Sequence, residues 1–422
     1  MDSPLIPLAD AVLPLIRSSS PNLWRYSVAM DHGISMQDGA DLLEVAIKAP
    51  QALPQFGIQP ATAQETYRVA HKALASAINV IGRADDSSGI IGDACRELIR
   101  LHPLAAKAAN VPQLELAKWF WKFHFNEDVD FFQLDPVAYA PALGDKGIAR
   151  LRSLVTAYRQ QIIATPLDAG PYSFDHREFL AGYFERRLAV LDKDFDAIVT
   201  THLREGKAAV HLEEVAEAFE EIGEIDLAIY WAHRALLFDR GHQSAQAGNR
   251  WWRLLEQQQP EALPGAARLL FDRWPDTTSA ARLVEHAGSE AVSHILKTLE
   301  QFPDALIRFQ LDTLADPKLA WETAQQLDTV SDWVWGVLAK EYFPINPVAS
   351  VEVQLRVISV DLTQAKTSKY RPAAAELKEL RKAASKASAH ALTVVDQGIA
   401  ELREKYKRRP SFLAALNSAR LP

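Results

Sequence analysis

Apolar residues along this chain recur at intervals of three and four, and the short alternating Val/Ile/Thr runs of half-buried strands are nearly missing. The stretch from Val210 to Ile222 shows the rhythm. Leu212, Val215, Ala216, Phe219 and Ile222 fall on one helical face, and Gly223 follows where a helix end favours positive φ. A second helix is predicted from about Ile225 to Phe238, with Ala228, Ile229, Trp231, Ala232, Ala235 and Leu236 as its apolar set and Gly241 as its stop. So short a connection makes the pair antiparallel, a helical hairpin.

The same punctuation runs through the chain. Further helices are expected after Asp85-Asp86-Ser87-Ser88-Gly89, Pro303, Asp316-Pro317, Pro347 and Pro372, each start carrying a cap or a proline suited to a first turn. Breaks are read at Pro50/Pro54/Pro60, Thr165 to Phe174, Gln259 to Gly265 and Pro344 to Pro347. Counting periodic segments predicts about 18–20 helices of ~12 residues each. The fold class is all-α, a right-handed superhelical array of antiparallel hairpins. Three regions are read: an N-terminal helical region 1–165, a repeat-like hairpin region 166–300, and a C-terminal region 301–422 ending in a capping helix. That cap is predicted after Pro410, docking Phe412, Leu413 and Leu416.

The hairpin Ala208–Arg240 resembles a tetratricopeptide repeat: Gly223, Ala228, Ala232 and Ala235 occupy its small positions and Phe219 an aromatic one. Leu212, Ala216 and Arg240 depart from the consensus Trp, Gly and Pro. A wider resemblance is carried by Asp85–Gly89 with Gly92-Asp93 and Leu101-His102, by the block Asp316–Leu338, and by Tyr370-Arg371-Pro372-Ala373 through Arg408–Leu413. These segments look like an uncharacterised bacterial all-helical family related to the region C-terminal to SWIM zinc fingers. The SWIM ligands, Cys-x-Cys with Cys-x-His, are not available with Cys95 alone, so zinc-dependent binding does not transfer.

Composition narrows the chemistry. The 422 residues are 48% hydrophobic and 24% charged, enough apolar side chains for a large core. One cysteine excludes a disulfide framework, and no apolar run is long enough for a membrane span. With no basic stretch opening a signal sequence, a soluble cytoplasmic protein is expected. The phosphate-cradling glycine motifs and the nucleophile elbow are missing, and no two of the twelve histidines are spaced as a helical metal pair. No catalytic residue, metal ligand or cofactor is therefore assigned. Asp85, Asp86 and Asp93 are read as helix-capping carboxylates, and Cys95 as a buried thiol.

Three patterns remain. Trp119-Phe120-Trp121-Lys122-Phe123-His124-Phe125, with Phe131-Phe132 beyond and Glu127, Asp128 and Asp130 between, reads as a helix buried nearly all round; Trp251-Trp252 and Trp333/Trp335 read as inter-helix wedges. From Lys366 to Arg409 twelve Lys/Arg stand against five Asp/Glu although the whole chain carries −8, and Arg403, Lys405, Lys407, Arg408 and Arg409 are the densest run. On the helix expected to start near Lys207, Glu213, Glu217, Glu220 and Glu224 recur at four, three and four, with Glu221 beside them and no Lys or Arg among them. By resemblance to tetratricopeptide repeats, Glu213, Glu217, Glu220 and Glu221 face a groove suited to a basic segment of a protein partner. The leading expectation is a non-enzymatic scaffold or adaptor for protein partners. The alternatives are a nucleic-acid-associated protein using the basic C-terminal third, and an enzyme whose site is assembled between hairpins.

Overall fold

The structure, a computed structural model, describes residues 4–125, 132–165, 175–204, 206, 208–364 and 366–422. Among the described residues there are twenty-one α-helices, a few short 3-10 turns and no strand; Ile6 and Ile58 form an isolated bridge. The chain divides into two compact units, 1–231 and 232–422.

The first unit holds α1 (Leu8–Ile16), α2 (Tyr26–Lys48), α3 (Ala63–Ile81), α4 (Ile90–Ala108), α5 (Gln113–Phe123), α6 (Pro136–Ala164), α7 (His176–Asp192), α8 (Phe195–Leu203) and α9 (Ala209–Glu221). Helices α2 and α3 both pack on α4, and α1 covers α2 and α3, enclosing Val12, Ile16, Met36, Leu43, Leu74 and Leu98. A second core joins α5, α6 and α7 around Phe120, Tyr139, Leu143 and Phe184, and α8 and α9 continue the stack from α7. Each such fully buried large apolar side chain stabilises by roughly 1.5–3 kcal/mol.

The division falls within α10 (Ile225–Phe238). The second unit continues with α11 (His242–Gln258), α12 (Leu263–Arg273), α13 (Thr277–Ala287), α14 (Val292–Leu299), α15 (Pro303–Asp312) and α16 (Pro317–Gln325). It closes with α17 (Asp332–Tyr342), α18 (Pro347–Asp361), α19 (Tyr370–Ala387), α20 (Ala389–Lys405) and α21 (Pro410–Ser418). Most helices here pack on the next or next but one, and the last four share a core around Leu377, Val395, Ile399 and Phe412.

Local chemistry explains the boundaries. The turn after α9 is a Schellman closure. Gly223 at φ +86 lets its own N–H reach Glu220 O at 3.1 Å and Glu224 N–H reach Phe219 O at 2.9 Å. Thr62 and Glu65 form a reciprocal capping box at the start of α3. Pro303, Pro317, Pro347 and Pro410 are first residues of their helices. Pro372 is not a start: α19 begins at Tyr370, and Pro372 is its third residue, where the N–H has no intrahelical partner to lose.

Candidate functional site

The acidic row on α9 is more committed than its sequence suggests. Its apolar face is buried as expected, through Leu212, Val215, Ala216 and Phe219. Glu221, however, is relieved by a cation from another helix. Arg187 on α7 donates from both terminal nitrogens to its carboxylate at 2.7 Å, and from Nε and Nη2 to Asp135 at 2.8 Å. Arg204 holds Glu214 at 2.6 Å, and Glu213, Glu217 and Glu220 have partners of their own. Glu224 is exposed, and its N–H closes the helix. Lys207 lies outside the described residues.

Arg187 keeps only 18% of its side chain exposed while Asp135 and Glu221 keep about a third. Arg187→Met should cost roughly 1–3 kcal/mol, since the abandoned carboxylates can partly rehydrate. Urea denaturation reads this, and an unshifted midpoint would show the bridge to be screened by water.

The basic C-terminal run is drawn inward at Arg403 and Arg409, while Lys405, Lys407 and Arg408 stay exposed. Arg403 donates to Leu421 O and Asn417 Oδ1, both at 2.9 Å, and to Pro422 O at 2.5 Å. Arg409 donates to Leu362 O at 2.6 Å with its guanidinium 4.3 Å from the centre of the Tyr406 ring. Lys405 binds Ser359 Oγ at 2.9 Å and Lys407 pairs with Glu404 at 2.5 Å.

Beside this run lies a groove of about 670 Å³ between α19 and α21. Arg371 and Lys378 line it on one wall with Ala374 and Ala375; Ala414 and Ala415 face them from the other, and among the described residues no carboxylate borders it. Ala374, Ala375 and Lys378 stand three, four and seven positions after Arg371, and Ala414, Ala415 and Ser418 stand three, four and seven after Ser411, so each wall is one helical stripe.

The aromatic run departs in part from an all-round buried helix. Phe120 and His124 are buried, Trp119, Trp121 and Phe123 are half-buried, and Phe125 is 42% exposed beyond the helix end. Glu127, Asp128, Asp130 and Phe131 lie outside the described residues. His124 is tied at both nitrogens, with Nδ1 2.9 Å from Phe120 O and Nε2 accepting from Leu134 N–H at 2.9 Å; burial lowers its pKa to about 4. Trp251 and Trp252 are buried wedges. Trp333 is not: it is 66% exposed, with Arg308 5.2 Å over its ring. Its neighbour Trp335, half-buried, meets Trp321 edge-on at 5.5 Å.

Trp119 leads to a constellation that sequence spacing did not reveal. His102 is fully buried, stacked on Trp119 with ring centroids 4.5 Å apart. Its Nδ1 lies 2.9 Å from Tyr139 Oη, and its Nε2 lies 3.0 Å from Nδ1 of His71. Five side chains on α3, α4, α5 and α6 thus converge, with the Tyr67 ring tilted against both histidines at about 5.5 Å. Burial lowers the pKa of His102 to about 3, with the neighbouring His71 adding to the effect, and lowers that of His71 as well. The Tyr139 hydroxyl is pushed well above its ordinary range by complete burial. All three groups are neutral near pH 7.

Their proton order follows from satisfiability. The Tyr139 hydroxyl has His102 as its one partner among the described residues. If it accepted there, its own buried O–H would go unsatisfied at a cost of about 1–3 kcal/mol. Tyr139 therefore donates to Nδ1 of His102. Nε2–H of His102 donates to Nδ1 of His71, and the remaining proton of His71 sits on Nε2. Among the described residues that nitrogen has no protein partner, and His71 lines a cleft of about 410 Å³ between α3 and α5. The one sequence signal was His102 itself, a polar ring on the apolar face of α4.

The remaining sequence candidates are structural. Asp86 accepts from the N–H groups of Ile91 at 2.9 Å and Gly92 at 3.0 Å, the first-turn donors of α4. Asp85 binds Ser87, and Asp93 pairs with Arg96 at 2.5 Å. Cys95 is buried, its thiol pushed up to about 12 mainly by desolvation. Among the described residues no cluster of metal-ligating side chains forms, and no helix is long and apolar enough to cross a membrane. No family model, curated protein or solved structure matches the chain.

Proposed function

We propose that this chain is a non-enzymatic scaffold or adaptor that holds an acidic helical segment of a protein partner in the groove between α19 and α21. The groove carries this reading. Its alanine walls let a guest backbone come close, and Arg371 and Lys378 favour carboxylates on the guest. The tetratricopeptide-like sequence of 208–240 and the neighbour-on-neighbour packing inside each unit support a right-handed superhelical stacking of hairpins, an architecture that presents long binding surfaces. A cytoplasmic location belongs to the same proposal, and the free thiol of Cys95 is compatible with it. The resemblance to the SWIM-associated bacterial family adds no chemistry to this reading.

Fluorescence anisotropy with a labelled amphipathic peptide bearing glutamates on one face tests it. The native protein should bind the peptide, and Arg371→Glu with Lys378→Glu should weaken binding about tenfold or more. Equal binding by both proteins, or none by the native one, overturns the proposal. Nucleic acid is the competing partner, since Arg371, Lys378 and Arg408 carry positive charge at one end of the second unit. A generic duplex that binds with a steep salt dependence would replace the protein-binding reading.

A further inference from the structure

We propose that the cleft between α3 and α5 is a binding site for a small aromatic monocarboxylate, whose carboxylate is received by His71 Nε2–H and Arg68. The inference is independent of the groove and goes beyond the scaffold reading.

The Tyr139–His102–His71 chain fixes the polarity of the cleft. Because each histidine uses Nδ1 as an acceptor, His71 has only a donor left to offer at Nε2. A metal ion needs a lone pair there and finds a proton. A ligand oxygen finds a hydrogen-bond donor already oriented by two buried groups, so little ordering remains to be done on binding.

The rest of the wall specifies the rest of the ligand. Gln64, Arg68 and His71 recur at four and three along α3 and share one face, adding a guanidinium and an amide beside the imidazole. Opposite them, Val111, Pro112, Leu116 and Trp119 form an apolar side suited to a flat ring. Glu115 also borders the cleft, and its field raises the pKa of Tyr67, after the larger effect of burial. A second negative charge on the ligand would meet that carboxylate, so one charge is accepted and two are not. The volume of about 410 Å³ holds a single ring with its carboxylate.

The test uses the full chain labelled with 15N at histidine, titrated with benzoate, phthalate and benzyl alcohol. Benzoate should saturate and shift the His71 Nε2 resonance, phthalate should bind at least about tenfold more weakly, and benzyl alcohol should leave that resonance in place. Arg68 is exposed, so Arg68→Gln should fold normally and lose about tenfold in benzoate affinity, the worth of one charge-assisted hydrogen bond. Tyr139→Phe keeps the buried ring but removes the donor. The nitrogen shifts of His102 and His71 should then report mixed tautomers, and benzoate affinity should fall. No saturable response to benzoate, unchanged affinity in Arg68→Gln, or tighter binding of phthalate overturns the proposal. Unaltered tautomers in a folded Tyr139→Phe protein overturn its basis.

Discussion

Lowering the pH from 7 to 5 should destabilise the first unit by several kcal/mol, before its carboxylates begin to titrate. His102 has a folded pKa of about 3, and His124 and His202 of about 4, in each case chiefly because burial disfavours the charged ring. In the unfolded chain the same side chains titrate near 6.5. Above that value all three are neutral in both states and stability is insensitive to them. As pH falls through 6.5 the unfolded chain takes up protons that the fold refuses, and stability is lost until the folded pKa is reached. Each histidine contributes about 2 kcal/mol of loss by pH 5, a large share of ordinary domain stability. Urea midpoints at pH 7, 6 and 5 measure the effect. His102→Asn should remove about one proton from the unfolding reaction. A midpoint that stays constant from pH 7 to 5 would show that these rings are hydrated in solution.

Phe412→Ala should cost roughly 3–5 kcal/mol in the second unit, the range for emptying a closed aromatic site. The ring is fully buried and meets Tyr370 at 5.5 Å and Tyr406 edge-on at 5.6 Å. Leu416 and Leu421 are buried beside it, whereas Leu413, expected from its spacing to dock as well, is half-buried. Leu413→Ala is accordingly expected to cost less. Because α21 forms one wall of the groove, the Phe412 variant should also lose the acidic peptide. Hydrogen exchange resolved to α19, α20 and α21 checks both consequences together. Unchanged protection of α21 would mean that Arg403 and Arg409 hold it without the ring.

These outcomes sort what a chain discloses from what only a fold discloses. Periodicity of three and four locates α9 and α10, and prolines locate the starts of α15, α16, α18 and α21, because both signals are local. On α17 the same signal misleads. Trp333, Val334, Trp335, Val337 and Leu338 surround the helix, so spacing alone cannot tell which ring turns inward. The charge row on α9 is visible in the sequence, but the cation that relieves Glu221 stands 34 residues upstream. The histidine chain is farther from reach still. His71 and His102 are 31 residues apart and His102 and Tyr139 are 37 apart, so their meeting depends on how α3, α4 and α6 pack.

The kink in α6 ties two positions into a single unit of inheritance. Gly144 interrupts the helix at φ 54 and ψ −175, a conformation essentially reserved for glycine, and Gln113, the first residue of α5, lies against it. A Cβ at position 144 would collide with the Gln113 amide, while Gln113 Oε1 accepts the Lys146 N–H at 3.2 Å on the far side of the kink. Changing Gln113 alone gives up that acceptor; changing Gly144 alone strains the backbone and pushes the Gln113 amide off the Lys146 N–H. Drift at either site is therefore epistatic. Among natural variants of this chain, residues 113 and 144 should be retained or replaced as a pair.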